Sequence, residues 1–166
     1  DAVRPQVFVD ANVDGLRADH QRPALDERAS IHAAIARRDE RHLPAETRDE
    51  PDWSIFMPLD VMIEGQTEQV FERIEKEWGQ LDFLLHSIAF APKEALHGRV
   101  VDVQRDGFLK TMDVSCWAFM RMAHLAEPLM KNGGTLFTMT YYGSRMVVQN
   151  YNIMGVAKAA LEAAVR

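Results

Sequence analysis

LDFLLHSIAF (81–90) is nearly continuous apolar sequence. A half-solvated strand alternates apolar and polar residues; a run like this one suits a strand covered on both faces, as in a parallel sheet flanked by helices. On its N-terminal side, TEQVFERIEKEW (67–78) puts Val70, Phe71, Ile74 and Trp78 on one helical face and closes at Gly79, a helix stop. WSIFMPL (53–59), aromatic and branched and ended by Asp60, reads as a strand. On the other side a helical stretch runs from about 105 to 131 and stops at NGG (132–134). TLFTMT (135–140) reads as the next strand, and another helix starts near Asn150. Alternating strands and helices predict an α/β fold with a parallel sheet and right-handed crossovers. Ligands of such sheets bind at the carboxyl ends of the strands. Those ends are Asp60-Val61, His86-Ser87-Ile88-Ala89 and Thr140-Tyr141.

The composition narrows the class of function. A net charge of −6 argues against nucleic acid as the main partner, because phosphate contacts need clustered Lys and Arg. No apolar run approaches the about 20 residues of a membrane span, so no membrane partner is expected. The single cysteine, Cys116, excludes an internal disulfide framework and reads as a buried thiol, which suits a cytoplasmic protein. Nothing stands near His86 at a ligand spacing, so metal binding is not expected.

The composition also breaks along the chain. Residues 1–52 contain eight Arg but no Met, Lys, Trp or Tyr, whereas residues 53–166 hold all nine Met and all five Lys. The boundary divides an atypical N-terminal segment, poorly packed or translated out of frame, from a domain over 53–166. Within the first segment, Ile31 and Ile35 lie four apart and suggest one amphipathic helix over 26–42.

All three tyrosines (Tyr141, Tyr142, Tyr151) stand in TYYGSRMVVQNYNIMGVAK (140–158), which ends on the last lysine, Lys158. Seven helical residues make about two turns and rise about 10.5 Å, so Tyr151 and Lys158 share a face with room between them for an extended ligand such as a ribose. A phenol with a free pKa near 10 is a hydrogen-bond donor at neutral pH, suited to a carbonyl oxygen that gains charge. Alone the spacing is equally that of a core tyrosine and a solvated lysine; its place just after a strand end makes it a candidate site.

LDFLLHSIAFAP, LHGRVVD, MDVSCWAFMRMAHLAEPLM and YYGSRMVVQNYNIMGVAKAALEAAVR together resemble the bacterial NADH-dependent enoyl-acyl carrier protein reductases, divergent short-chain dehydrogenase/reductases. The resemblance covers about residues 55–166. Its mark is Tyr141, Tyr151 and Lys158 at intervals of ten and seven; conventional short-chain dehydrogenases carry lysine four after tyrosine, where this chain has Gly155. The resemblance implies a Rossmann-type parallel sheet with flanking helices, reduction of trans-2-enoyl thioesters on acyl carrier protein in fatty acid synthesis, NADH as cofactor, and a homo-oligomer, a tetramer in the family. It implies that Tyr151 meets the thioester carbonyl, Lys158 the nicotinamide ribose, and that Tyr141 is the second active-site tyrosine. Asp60 and Val61 would meet the adenine; Ser87, Ile88, Ala89 and Thr140 would run beside the rest of the cofactor; Ala91 and Met154 would line the acyl pocket. The family's first strand, its glycine-rich turn and the strands beyond Lys158 are not recognisable, so the expected fold is an incomplete one, truncated at both ends. The alternative is a catalytically silent fragment that keeps only subunit-association surfaces on the helices at 105–131 and 150–166.

Overall fold

The structure is a computed structural model that describes the backbone of residues 6–11 and 31–36 and, in full, residues 55, 57 and 59–166. Four strands form one sheet in the order β1 (Gln6–Ala11), β2 (Ile31–Ala36), β3 (Phe83–Ile88) and β4 (Thr135–Thr138). β3 and β4 pair in parallel, from Phe83↔Thr135 to His86↔Thr138. β2 pairs antiparallel with β3, from Ile31↔Ile88 to Ala36↔Phe83, and antiparallel with β1 on its other side.

The predicted helix over 26–42 is therefore replaced, where the chain is described, by a strand at Ile31–Ala36. Two isoleucines four apart are a weak helical signal, and ladders to β1 and β3 supply this backbone with partners on both sides. The strand expected at 53–59 is also not found: Ile55, Met57 and Leu59 lie in no strand, and the other four positions fall outside the described residues. β3 has β2 on one edge and β4 on the other, so no edge of it is left for that segment to pair with. Its apolar residues still pack inward, Ile55 and Leu59 being buried and Met57 lying against them.

Helix α1 (Gln66–Trp78) buries Val70, Phe71 and Ile74 as its periodicity requires. Gly79 ends it at φ 69°, donating its N–H to the carbonyls of Ile74 and Glu75. A Cβ at that position would meet nothing closer than the Glu75 carbonyl at 3.9 Å. Gly79→Ala should therefore lose about 1 kcal/mol through backbone conformation alone, measurable as a lower urea midpoint.

The predicted helix at 105–131 is interrupted. α2 (Arg105–Met112) passes into a wider π turn at Asp113–Trp117, then α3 (Ala118–Ala126) and a short 3₁₀ turn at Glu127–Leu129. One apolar cluster joins α1, β3 and α3 through Ile74, Leu84, Ile88 and Met122. A second joins Cys116 and Phe119 to Leu161 of α4 (Asn152–Val165). β3 buries Leu84, His86 and Ile88 and leaves the alternate residues half-buried, so one face is covered more fully than the other.

Candidate functional site

α4 is the scaffold of the site. Positions 151, 155, 158 and 162 follow the helical spacing that places residues on one face, and each meets the chain leaving β4. Lys158 donates from Nζ to the Met139 carbonyl at 2.7 Å and is only 5% exposed. The Gly155 backbone lies under the Gly143 carbonyl, and a methyl built on Gly155 would come within 2.7 Å of that oxygen. The position where conventional relatives place their lysine thus has no room here for any side chain.

Tyr151, at the N-cap of α4, lies with its ring against Gly143, whose added methyl would sit 2.6 Å from Tyr151 Cε1. Its ring meets that of Tyr141 edge to face, with centroids 4.9 Å apart and planes at 64°. Such a contact adds about 0.5–1.5 kcal/mol beyond area burial. Tyr142, the neighbour, is exposed.

The electrostatics follow from burial. Desolvation pushes the Tyr151 phenol above its ordinary pKa, with Tyr141 adding to the effect, so at neutral pH the hydroxyl keeps its proton. Burial also lowers the Lys158 ammonium, partly offset by Cys116. Cys116 itself is buried and its thiol is raised by desolvation, as expected of a core cysteine. His86 is fully buried, and desolvation followed by the Lys158 charge lowers its pKa to about 4. Its Nδ1 lies 2.9 Å from the Thr138 hydroxyl, and its Nε2 meets no polar partner among the described residues.

Tyr141, Tyr151, Lys158 and Thr140 are thus brought together at the end of β4. Ser87, Ile88 and Ala89 run through the end of β3; Ile88 is buried and Ala89 exposed. Ala91 is half-buried just beyond, and Met154 is buried on α4. Asp60 stands apart: its Oδ1 accepts from the Met62 N–H at 2.9 Å, and its own N–H donates to Gln66 Oε1, so it shapes the turn into α1. Val61 packs on the core there. Beside Tyr151 opens a cleft of about 770 Å³, lined by Leu96, Val100, Met146, Val148 and Val156 among others. Its two lips are joined by His97 Nδ1 and Asn150 Oδ1 at 3.0 Å.

Two residues of the site carry no expectation from the sequence. Ser115, in the π turn, accepts from the Phe90 N–H and donates to the Phe90 carbonyl, both at 3.0 Å, and so fixes the chain leaving β3. No sequence signal marks it, because regular helical spacing does not describe a π turn. Glu162 accepts from the Thr140 and Ser144 hydroxyls. It sits four residues past Lys158, and extending the Tyr151–Lys158 face by one turn would have found it.

A parallel strand pair with flanking helices, and side chains gathered where those strands end, define the Rossmann-type α/β class. A family model described as enoyl-(acyl carrier protein) reductase matches residues 24–166. An NADH enoyl-acyl-carrier-protein reductase of Rhizobium meliloti is 48% identical over 107 residues, covering 64% of this chain and 39% of that protein. One from Rickettsia conorii is 46% identical over 108 residues, 65% of this chain and 42% of its own length. Among solved structures, the enoyl-acyl-carrier-protein reductase of Anaplasma phagocytophilum in complex with NAD is 44% identical. It superposes with a TM-score of 0.66 over 70% of this chain and 45% of that one. The Bacillus cereus enzyme, with NADP+ and an indole naphthyridinone, gives 0.67 at 41% identity, over 73% of this chain and 47% of its own. The chain belongs to the enoyl-(acyl carrier protein) reductase family, and it spans less than half the length of the relatives it matches.

Proposed function

We propose that this chain carries the catalytic end of an enoyl-acyl carrier protein reductase, reducing trans-2-enoyl thioesters in cytoplasmic fatty acid synthesis. The observation that carries the reading is the ring contact of Tyr141, in the chain leaving β4, with Tyr151, which starts the helix that carries a buried, carbonyl-anchored lysine. The relatives are named as NADH enzymes, and the nicotinamide half of that cofactor fits the residues present. Lys158 spends one donor on Met139, which leaves two for ribose hydroxyls, and burial strengthens the hydrogen bonds its ammonium makes even as it lowers the group's pKa. Ser87, Ile88, Ala89 and Thr140 would flank the same group. Asp60 and Val61, engaged at the start of α1, would meet the adenine.

Bound NADH would supply the hydride for the β-carbon of the enoyl thioester. Tyr151 donates its phenolic hydrogen bond to the thioester oxygen, where negative charge develops, and burial keeps that proton in place. Tyr141, packed on its ring edge, restricts Tyr151 to the orientation that faces the substrate. Ala91 and Met154 would line the acyl path beside the cleft.

The test is NADH oxidation with a crotonyl thioester, alongside calorimetric titration with NADH. Saturable binding with substrate-dependent oxidation is expected; neither binding nor oxidation would remove the reading. Binding without oxidation would favour the alternative, a silent chain retaining association surfaces. One observation supports a homo-oligomer, a tetramer by family resemblance, in either case. The α2–α3 surface forms an apolar groove of about 560 Å³ where Leu109, Trp117 and Met120 are exposed beside Met62.

A further inference from the structure

We propose that Glu162 is the positioning residue that holds the two phenols in register with the lysine. Its Oε1 accepts hydrogen bonds from Thr140 Oγ1 and from Ser144 Oγ, each at 2.6 Å, and its Oε2 faces Arg145 Nε at 3.6 Å. Those two hydroxyls bracket Tyr141, Tyr142 and Gly143. A single carboxylate oxygen therefore closes a loop of five residues whose middle carries one phenol and backs the other. Gly143 presses on the Tyr151 ring, and its carbonyl presses on Gly155, so a displaced loop leaves Tyr151 without its support. One helical turn earlier, Lys158 holds the same chain by the Met139 carbonyl. The two side chains grip it at successive points just beyond β4, one as a donor to the backbone and one as an acceptor from side chains. Glu162 touches neither cofactor nor substrate in this scheme; it acts through the loop. The two hydroxyl donors and Arg145 keep its carboxyl ionised.

The inference rests on the reading of Tyr151 and Lys158 as the reducing site, and its test separates the two. All three tyrosines of the protein lie in this segment and its one cysteine is buried, so side-chain chemistry reports the site directly. Tetranitromethane treatment, with each tyrosine resolved by mass spectrometry, is compared among wild type, Glu162→Gln and Glu162→Ala. Reactivity of Cys116 toward a thiol reagent serves as the control for the packing of α4. In wild type Tyr142 should nitrate ahead of Tyr151. Glu162→Gln keeps an oxygen that can accept from both hydroxyls and should preserve that order. Glu162→Ala should raise Tyr151 nitration several-fold while Cys116 stays protected, and should lower kcat about 100-fold with little change in the KM for NADH. Tyr151 remaining protected in the alanine variant, or Cys116 becoming reactive together with it, would overturn the inference. A wild-type chain that does not oxidise NADH would remove the functional reading, yet the nitration pattern would still decide the role of Glu162.

Discussion

Tyr151→Phe should lower kcat about 100- to 1,000-fold, the usual result of removing one donor from a developing oxyanion. The ring itself does the packing: it rests on Gly143 and meets Tyr141 edge to face, and phenylalanine keeps both contacts. Calorimetric NADH affinity and the unfolding midpoint should therefore stay near wild type. Only the hydroxyl is lost, and burial has left that hydroxyl protonated and ready to donate. Steady-state kinetics with a crotonyl thioester make the measurement. Full turnover in the variant would take the phenol out of the mechanism.

The second large effect is one of pH on stability. His86 has a folded pKa of about 4, below its ordinary 6.5, because burial and the Lys158 charge both disfavour the imidazolium. As the pH falls below about 6.5 the unfolded chain takes up a proton that the folded chain refuses, so stability present above that pH is lost on the way down. The gap corresponds to about 3 kcal/mol, complete once the pH has passed through the folded value. Glu68, Glu162 and Asp102 have carboxyls held below their ordinary values, and they lose their contributions lower on the scale. His86→Asn retains a short polar group facing Thr138 and cannot titrate. Urea unfolding of both proteins at several pH values from about 7 to 4 should show wild type losing about 3 kcal/mol more than the variant. Parallel curves would show that the imidazole is not the buried titrating group.

Where an element is long or bounded by strong stops, its residues declared it. α1 shows its apolar face at Val70, Phe71 and Ile74 and ends on Gly79, and β3 lies within the apolar run that suggested it. Ile31 and Ile35 mislead because the pairing that makes them a strand comes from β1 and β3, distant in sequence or read as something else. The segment at 53–59 has the composition of a strand, but both edges of β3 are taken by β2 and β4, a fact set by the order of the sheet rather than by its own residues. At the site, the ten-and-seven spacing of Tyr141, Tyr151 and Lys158 is carried by α4 and the turn before it, so it survives translation into space. What it leaves out is the surrounding support. Gly155 reads as a departure from a pattern until the Gly143 carbonyl is seen above it, and nothing in the residues around Asp60 announces that its carboxylate accepts from the Met62 N–H.

The widened turn at Asp113–Trp117 has a bearing on which lengths of this segment evolution could tolerate. Each residue of a regular helix advances the direction of the next side chain by about a quarter of a turn. Val114 and Ser115 face the sheet from within the bulge, while Met122 and Ala126 face it from beyond. Losing one codon there would straighten the coil and swing everything downstream aside, so that either Ser115 releases the Phe90 backbone or Met122 leaves the interior. The extra residue is therefore a splice between two phases of one helix, and its cost is a segment that can change its letters far more easily than its count.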